Sequence, residues 1–292
     1  MARLCQCMAT ARQVIPKTRA TPKGLPDVTI GSPMAEQESN AAIEFVNVTY
    51  RTGEGRVLLA NLNLRVQRGE TLILLGRSGS GKTTTLKLIN GLLVCQEGKI
   101  VVEGKPLAEW DLIRLRRHIG YAIQDVGLFP HFTIERNVGL VPQLEKWPPA
   151  KIRARTEELL ELVGLPPSQF RNRYPNQLSG GQRQRVGLGR ALACDPPILL
   201  MDEPFGALDP LTRADIQKEF KNLQRRLNKT VVFVTHDVRE AMFLASRIAV
   251  LDSGRLLGVY SPAEFLQSRE PVVSDYVNVL RSEMELFADL EK

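Results

Sequence analysis

The sequence predicts an α/β layered protein built on a largely parallel sheet. Three features carry that expectation. Uninterrupted apolar runs at Thr71-Leu72-Ile73-Leu74-Leu75, Ile198-Leu199-Leu200-Met201, Val231-Val232-Phe233-Val234 and Ile248-Ala249-Val250-Leu251 read as strands buried on both faces. Segments with helical spacing alternate with them, as where Ile216, Phe220, Leu223 and Leu227 recur at i, i+4, i+7 and i+11. Directly after the first run lies Gly76-Arg77-Ser78-Gly79-Ser80-Gly81-Lys82-Thr83, which fits G-x-x-x-x-G-K-[ST] at every fixed position.

That octapeptide has the context its chemistry needs, because Thr84-Thr85-Leu86-Lys87-Leu88-Ile89-Asn90 continues it as a helix and Gly91 is placed to close that helix. Glycines let backbone N–H groups point inward at a triphosphate without a Cβ in the way. The helix N-terminus adds partial positive charge. Lys82 can reach the β- and γ-phosphates, and Thr83 offers a hydroxyl to Mg²⁺. A Gly-Ser linker that merely contains Lys-Thr would lack the flanking strand and helix.

Bulk properties set limits on function. The 43% apolar and 24% charged residues are those of a soluble globular chain. No run approaches about 18 apolar residues, so no membrane span is expected. Cys5, Cys7, Cys95 and Cys194 show no CxxC spacing or disulfide framework, which suits a reducing compartment. The net charge of +7 hints at nucleic acid until it is located. Residues 1–33 carry Arg3, Arg12, Lys17, Arg19 and Lys23 against Asp27, leaving only +3 for the other 259 residues. Without a basic stripe or interleaved aromatics, no nucleic-acid partner is expected.

Residues 1–42, with Pro16, Pro22, Pro26 and Pro33 and few large apolar side chains, read as a disordered basic extension. They lack the apolar core of a secretory signal, and Met34 is an alternative start of the working chain. Order is expected from Ile43, since Ile43-Glu44-Phe45-Val46-Asn47-Val48-Thr49-Tyr50 alternates as a half-buried strand. Leu62, Leu64 and Val66 do the same, and Gly98–Gly104 encloses a further strand. Asp111–Arg117 reads as a short amphipathic helix. A helical lobe is expected over about 125–193, with Ile152, Leu159, Leu160 and Val163 on one face and Gly164 as the stop. From about 266 to 292, Leu280, Met284 and Phe287 suggest a terminal helix.

Two further stretches bear on the phosphate loop. Asp202 and Glu203 follow a buried run directly, and the carboxyl end of a parallel strand is where such sheets bind ligands. Asp202 there can hold Mg²⁺ through water, and Glu203 can polarise an attacking water. An ordinary Asp-Glu turn before Pro204 is the plainer alternative, weakened by the matched loop. Leu178-Ser179-Gly180-Gly181-Gln182 opens a helix as a second phosphate-binding nest. One subunit does not need two such loops for one nucleotide, so the second is expected to reach across a two-fold dimer.

Taken together and in this order, residues 43–265 resemble the ATP-binding cassette (ABC) ATPases. The resemblance rests on the phosphate loop, the Leu178–Gln182 signature, the Ile198–Glu203 run, Gly206-Ala207-Leu208-Asp209, Gln124 and His236. It implies a P-loop NTPase (RecA-like) core with a mainly parallel sheet, an N-terminal antiparallel β subdomain and an α-helical subdomain. It implies ATP contacts from Gly76 through Thr84 and an adenine-stacking ring at Tyr50. Mg²⁺ would be held by Thr83, Gln124 and Asp202. Glu203 would be the general base or water-positioning carboxylate, His236 the γ-phosphate sensor and Lys82 the third catalytic group. Ser179, Gly180, Gly181, Gln182 and Asp209 would act on the nucleotide of an opposing copy.

The same resemblance implies a task. Lacking spans, such a chain works with integral membrane permease subunits, a second copy of itself and a substrate-binding protein, peripheral to the cytoplasmic face of the bacterial plasma membrane. Leu128–Val138 stands where the family docks a coupling helix of the permease. The stretch through Gly139–Trp147 is similar to importers of glycine betaine, choline or carnitine. Those residues would touch permease rather than solute, and a plain helical lobe with exposed Trp147 is the alternative. Many such cassettes carry a paired regulatory domain after the ATPase, and none is expected before Lys292. An importer for another solute and a non-transport cassette acting as an ATP-gated interaction module remain the competing functions. Intact Glu203 and His236 disfavour the latter.

Overall fold

The computed structural model describes residues 40–123, 126–206 and 208–290, with side chains described except at 225–227, 283–284 and 286–290. The extension up to residue 39, Met34 included, lies outside the described residues, as do Gln124 and Ala207. So do the side chains of Leu227, Met284 and Phe287.

The chain begins with β1 (Ala41–Arg51), β2 (Val57–Gln67) and β3 (Thr71–Leu75), then α1 (Lys82–Ile89), β4 (Glu97–Val102) and β5 (Lys105–Pro106). Helix α2 (Leu112–His118) follows, capped by the Asp111 carboxylate on the N–H groups of Ile113 and Arg114, and runs straight into β6 (Ile119–Ala122). The helical lobe holds α3 (Ile134–Val138), α4 (Leu140–Leu144), α5 (Pro149–Leu162), α6 (Pro167–Phe170) and α7 (Gly180–Leu192). The remainder alternates as β7 (Ile198–Asp202), α8 (Pro210–Leu227), β8 (Thr230–Thr235), α9 (Val238–Leu244), β9 (Arg247–Asp252) and β10 (Arg255–Tyr260), before α10 (Pro262–Gln267) and α11 (Pro271–Leu290).

Two sheets result. Strands β2-β1-β4-β5 form an antiparallel sheet, and β10-β9-β3-β8-β7-β6 form the central one. In the latter β9, β3, β8, β7 and β6 run parallel, and only the β10–β9 pair is antiparallel. This is the expected P-loop architecture of parallel core, antiparallel β subdomain and helical subdomain.

The central sheet separates two cores, because strand residues alternate between its faces. Ile73, Leu75, Leu199, Met201, Val231, Phe233, Ile248 and Val250 join the core built with the helices. Leu72, Leu74, Ile198, Leu200, Val232, Val234, Ala249 and Leu251 join the core shared with the antiparallel sheet and α1. Apolar side chains on both faces explain why these strands read as unbroken apolar runs.

Strand β1 starts at Ala41, two residues before Ile43, with Ala41 and Ala42 already buried. Phe265 of α10 is buried, and Val273 and Val277 of α11 join the helical-side core. The terminal segment is thus part of the same packed body. Trp147 is half-buried, with the Lys151 ammonium 3.8 Å from its ring centre.

Phe233 is fully buried, and its ring sits 5.4 Å from Phe205 and 6.5 Å from Phe220. Phe233→Ala leaves a cavity between β8 and α8 and is expected to destabilise the chain by about 3–5 kcal/mol in a denaturant titration. A loss below about 1 kcal/mol would show that this face is loosely packed.

Candidate nucleotide site

Parallel register brings the carboxyl ends of three strands together. Leu75 pairs with Thr235, and Asp202 pairs with Val234. The residues that follow each strand, Gly76, His236 and Glu203, therefore leave the sheet along one edge. Sequence separations of more than a hundred residues vanish there.

The phosphate loop leaves β3 at Gly76, which has no room for a Cβ: one built there would lie 2.2 Å from the Leu251 carbonyl oxygen and 2.6 Å from Ser80 Oγ. Gly79 and Gly81 adopt φ of 79° and 103°, values that favour glycine. Gly79 faces open space, so the loop's outer surface is free for a ligand. Gly81 is the N-cap of α1 and offers no side-chain cap, which leaves the first N–H groups of that helix to an external acceptor. Buried Ser80 Oγ has no hydrogen-bond partner. Such an orphan costs about 1–3 kcal/mol until something satisfies it.

Lys82 is 6% exposed, and its ammonium donates to the carbonyls of Gly76 at 2.7 Å and Arg77 at 2.9 Å. Burial pushes its pKa down, opposed by the charges of Glu203 and Asp202. Thr83 Oγ1 donates to Asp202 Oδ1 at 3.1 Å, linking α1 to the end of β7. Burial raises the Asp202 pKa, while the Thr83 bond, Lys87 and Lys82 lower it. Burial and the Asp202 charge push the Tyr121 phenol on β6 up to about 12. A hydroxyl and a carboxylate in contact beside a phosphate cradle form a donor set suited to Mg²⁺, which prefers oxygen ligands.

Glu203 holds φ +46°, a left-handed conformation uncommon for a non-glycine residue, and its N–H donates to the Val234 carbonyl. Its Oε1 lies 3.3 Å from His236 Nδ1, and the imidazole is otherwise largely open to solvent. Tyr50 stands opposite Leu59 in the β1–β2 pair, and Leu59 is the side chain a Cβ at Gly81 would strike at 2.6 Å. Arg77 and Ser78 are exposed, and Arg77 lies 3.6 Å from Asp275 of α11. Thr84 is half-buried in the first turn of α1.

The second set does not join the first within one copy. Among the described residues no hydrogen bond or ion pair links Ser179–Gln182 or Asp209 to the phosphate loop. Ser179 caps α7 reciprocally with Gln182: Ser179 Oγ accepts from the Gln182 N–H at 3.2 Å and Gln182 Oε1 accepts from the Ser179 N–H at 3.0 Å. Gln182 therefore shapes the turn. Asp209 caps α8, accepting from the Thr212 N–H at 3.0 Å, and these N–H groups hold its carboxyl below the usual range. Ser179 and Asp209 are both exposed.

Sequence reasoning missed the residues that hold the loops bearing Glu203 and His236. Buried Glu240 of α9 accepts from Thr235 Oγ1 at 2.6 Å and from Gln217 Nε2 at 3.0 Å. Arg213 donates to the Leu208 carbonyl at 3.2 Å. Their only sequence signal is their proximity to His236 and Asp209.

A strand, a glycine-rich cradle, a helix N-terminus and a carboxylate at the end of β7, one strand beyond β8, define the nucleoside-triphosphate site of a P-loop cassette. The profile of the ABC transporter family matches residues 59–206, and the chain belongs to that family. It is 47% identical over 251 residues to the choline transport ATP-binding protein OpuBA of Bacillus subtilis (strain 168), covering 86% of this chain and 65% of that protein. To the glycine betaine/carnitine/choline transport ATP-binding protein OpuCA of the same organism it is 51% identical, covering 77% of this chain and 59% of the relative. The chain thus spans about three-fifths of the length of these relatives. Among solved structures, the ATP-binding cassette MJ0796, in a dimeric post-hydrolysis state bound to ADP and Pi, is 38% identical with a TM-score of 0.70, covering 75% of this chain and 98% of that one.

Gly81→Ala places a side chain at φ 103° and against Leu59 at once. It is expected to weaken ATP binding at least about tenfold in a direct binding titration while the fold persists. Unchanged affinity would remove the loop from the site.

Proposed function

We propose that this chain hydrolyses ATP as the cassette subunit of a bacterial importer for quaternary-amine osmoprotectants such as glycine betaine, choline or carnitine. The observation that carries the ATPase reading is the convergence of Lys82, Thr83, Asp202, Glu203 and His236 on one sheet edge. The solute is supported by the similarity to proteins named for choline and for glycine betaine, carnitine and choline.

In this reading the α1 N-terminus and the loop N–H groups bind the triphosphate, and Lys82 exchanges its two carbonyl contacts for phosphate oxygens. Thr83 and Asp202, with Gln124, would hold Mg²⁺, and the bound ion would supply positive charge to the phosphates. Glu203 orients the attacking water and takes its proton as the bond from the γ-phosphorus to ADP breaks. His236, set beside Glu203, contacts the γ-phosphate. Such catalysis is positioning plus charge stabilisation. Ser179, Gly180 and Gly181 of a second copy close the site from above, and Asp209 joins the two sites. Tyr50 stacks on the adenine.

Turnover of this kind drives a partner. No helix among the described residues is long and apolar enough to cross a membrane. The similarity to transport ATP-binding proteins supports a membrane permease as the path, with this subunit on the cytoplasmic face and a substrate-binding protein delivering solute. Buried Asn137 clasps the segment before α3, accepting from the Phe129 N–H and donating to the Phe129, Phe132 and Thr133 carbonyls. That clasp presents Phe129, 41% exposed, as a docking surface for the permease.

Glu203→Gln keeps the shape and removes the base; it is expected to bind ATP normally and lower kcat at least about a hundredfold. Wild-type turnover in that variant would refute the assigned role. Reconstituted with its permease and binding protein, the chain is expected to raise its ATPase rate when betaine or choline is added. Stimulation only by other solutes would overturn the osmoprotectant assignment.

A further inference from the structure

The Glu203–His236 contact joins two separate loops, one after β7 and one after β8. Neither residue is fixed by its own strand alone. Helix α8 touches both loops through one face. Its Arg213 donates to the carbonyls of Gly206 and Leu208 in the first loop and lies 4.0 Å from the Asp237 carboxylate of the second. Gln217, one turn further on that face, donates to Glu240 Oε1 at 3.0 Å.

Glu240 then reaches the second loop from beneath. It is 7% exposed, and its other oxygen accepts from Thr235 Oγ1 at 2.6 Å. Thr235 Oγ1 in turn accepts from the Asp237 N–H at 3.0 Å, so its own proton points at Glu240. The residue enclosed by this Thr235–Asp237 bridge is His236. A carboxylate in so buried a place has a reason to be there: burial raises its pKa, opposed by the bond from Thr235, by Arg213 and by Gln217, while Asp237 adds to the rise.

We propose that Glu240 is a positioning residue for ATP hydrolysis: braced on Gln217, it orients the Thr235 hydroxyl and so sets His236 against Glu203. Through Gln217 and Arg213, α8 then carries the loop bearing Glu203 and the loop bearing His236 as one unit. The kinetic part rests on the ATPase reading above; the geometric part does not. Shape rather than charge is what the arrangement needs. An amide at 240 can present its oxygen to Thr235 and its NH₂ to a Gln217 side chain turned end for end.

The test compares Glu240→Ala, Glu240→Gln and Thr235→Val in the full chain. Glu240→Ala and Thr235→Val are expected to lower kcat about ten- to a hundredfold with KM for ATP changed less than about threefold. Glu240→Gln should retain most of kcat. The chain has three histidines, His118, His131 and His236, so the His236 imidazole resonance is assignable by NMR from a His236→Ala sample. That resonance should shift in Glu240→Ala and Thr235→Val and stay in place in Glu240→Gln. Wild-type kcat with an unmoved resonance in Glu240→Ala would overturn the proposal, as would Glu240→Gln behaving like Glu240→Ala in both readouts. The resonance needs no turnover, so a chain without ATPase activity would sink the function while the NMR arm still decides the placement of His236.

Discussion

The parallel register of β7, β8 and β3 is the constraint on which the site depends. Pairing Leu75 with Thr235 and Val234 with Asp202 places three strand ends in a row. A slip of one residue would turn every side chain to the opposite face. It would exchange Ile73 and Leu75 with Leu72 and Leu74 between two cores that are both apolar but differ in partners. It would also part Thr83 from Asp202. Burial on both sides thus holds the chemistry in place, and the loops inherit their positions from the sheet.

The site gathers its charges under conditions that disfavour them. Burial pushes Asp202 up and Lys82 down, and Glu203 adds its repulsion to Asp202. Lys82 satisfies itself on two backbone carbonyls, Thr83 on Asp202, while Ser80 Oγ finds nothing. A bound polyphosphate and cation would reverse these local preferences, since an ion in a site inverts its electrostatics. The arrangement resembles a lock held shut on its own parts, ready to trade internal contacts for a ligand's.

Much of this was legible in the sequence because the decisive signals are local. Thr71–Leu75 is observed with the expected bounds, an apolar run between the Gly69 turn and Gly76. Asp202 and Glu203 were readable from the run before them. Strand β6 was not read: Gly120 breaks its pattern, yet only glycine fits there, since a Cβ would lie 2.2 Å from the Ala191 carbonyl oxygen. The reason is a helix seventy residues away. Glu240, Gln217 and Arg213 were equally invisible, because a brace between α8 and α9 has no spacing of its own. Ser179 and Gln182 were legible as a loop at a helix start, and the structure adds that they cap each other.

Ser179 and Asp209 stand exposed, and among the described residues no hydrogen bond or ion pair joins them to the phosphate loop within one copy, as two copies sharing each nucleotide would require. Sedimentation velocity of Glu203→Gln tests it most directly. With ATP and Mg²⁺ the mass is predicted to double, and adding Ser179→Arg to the same chain should keep it single while ATP still binds. A Glu203→Gln chain that binds ATP and stays a monomer, or one that doubles equally with Ser179→Arg, would contradict the account.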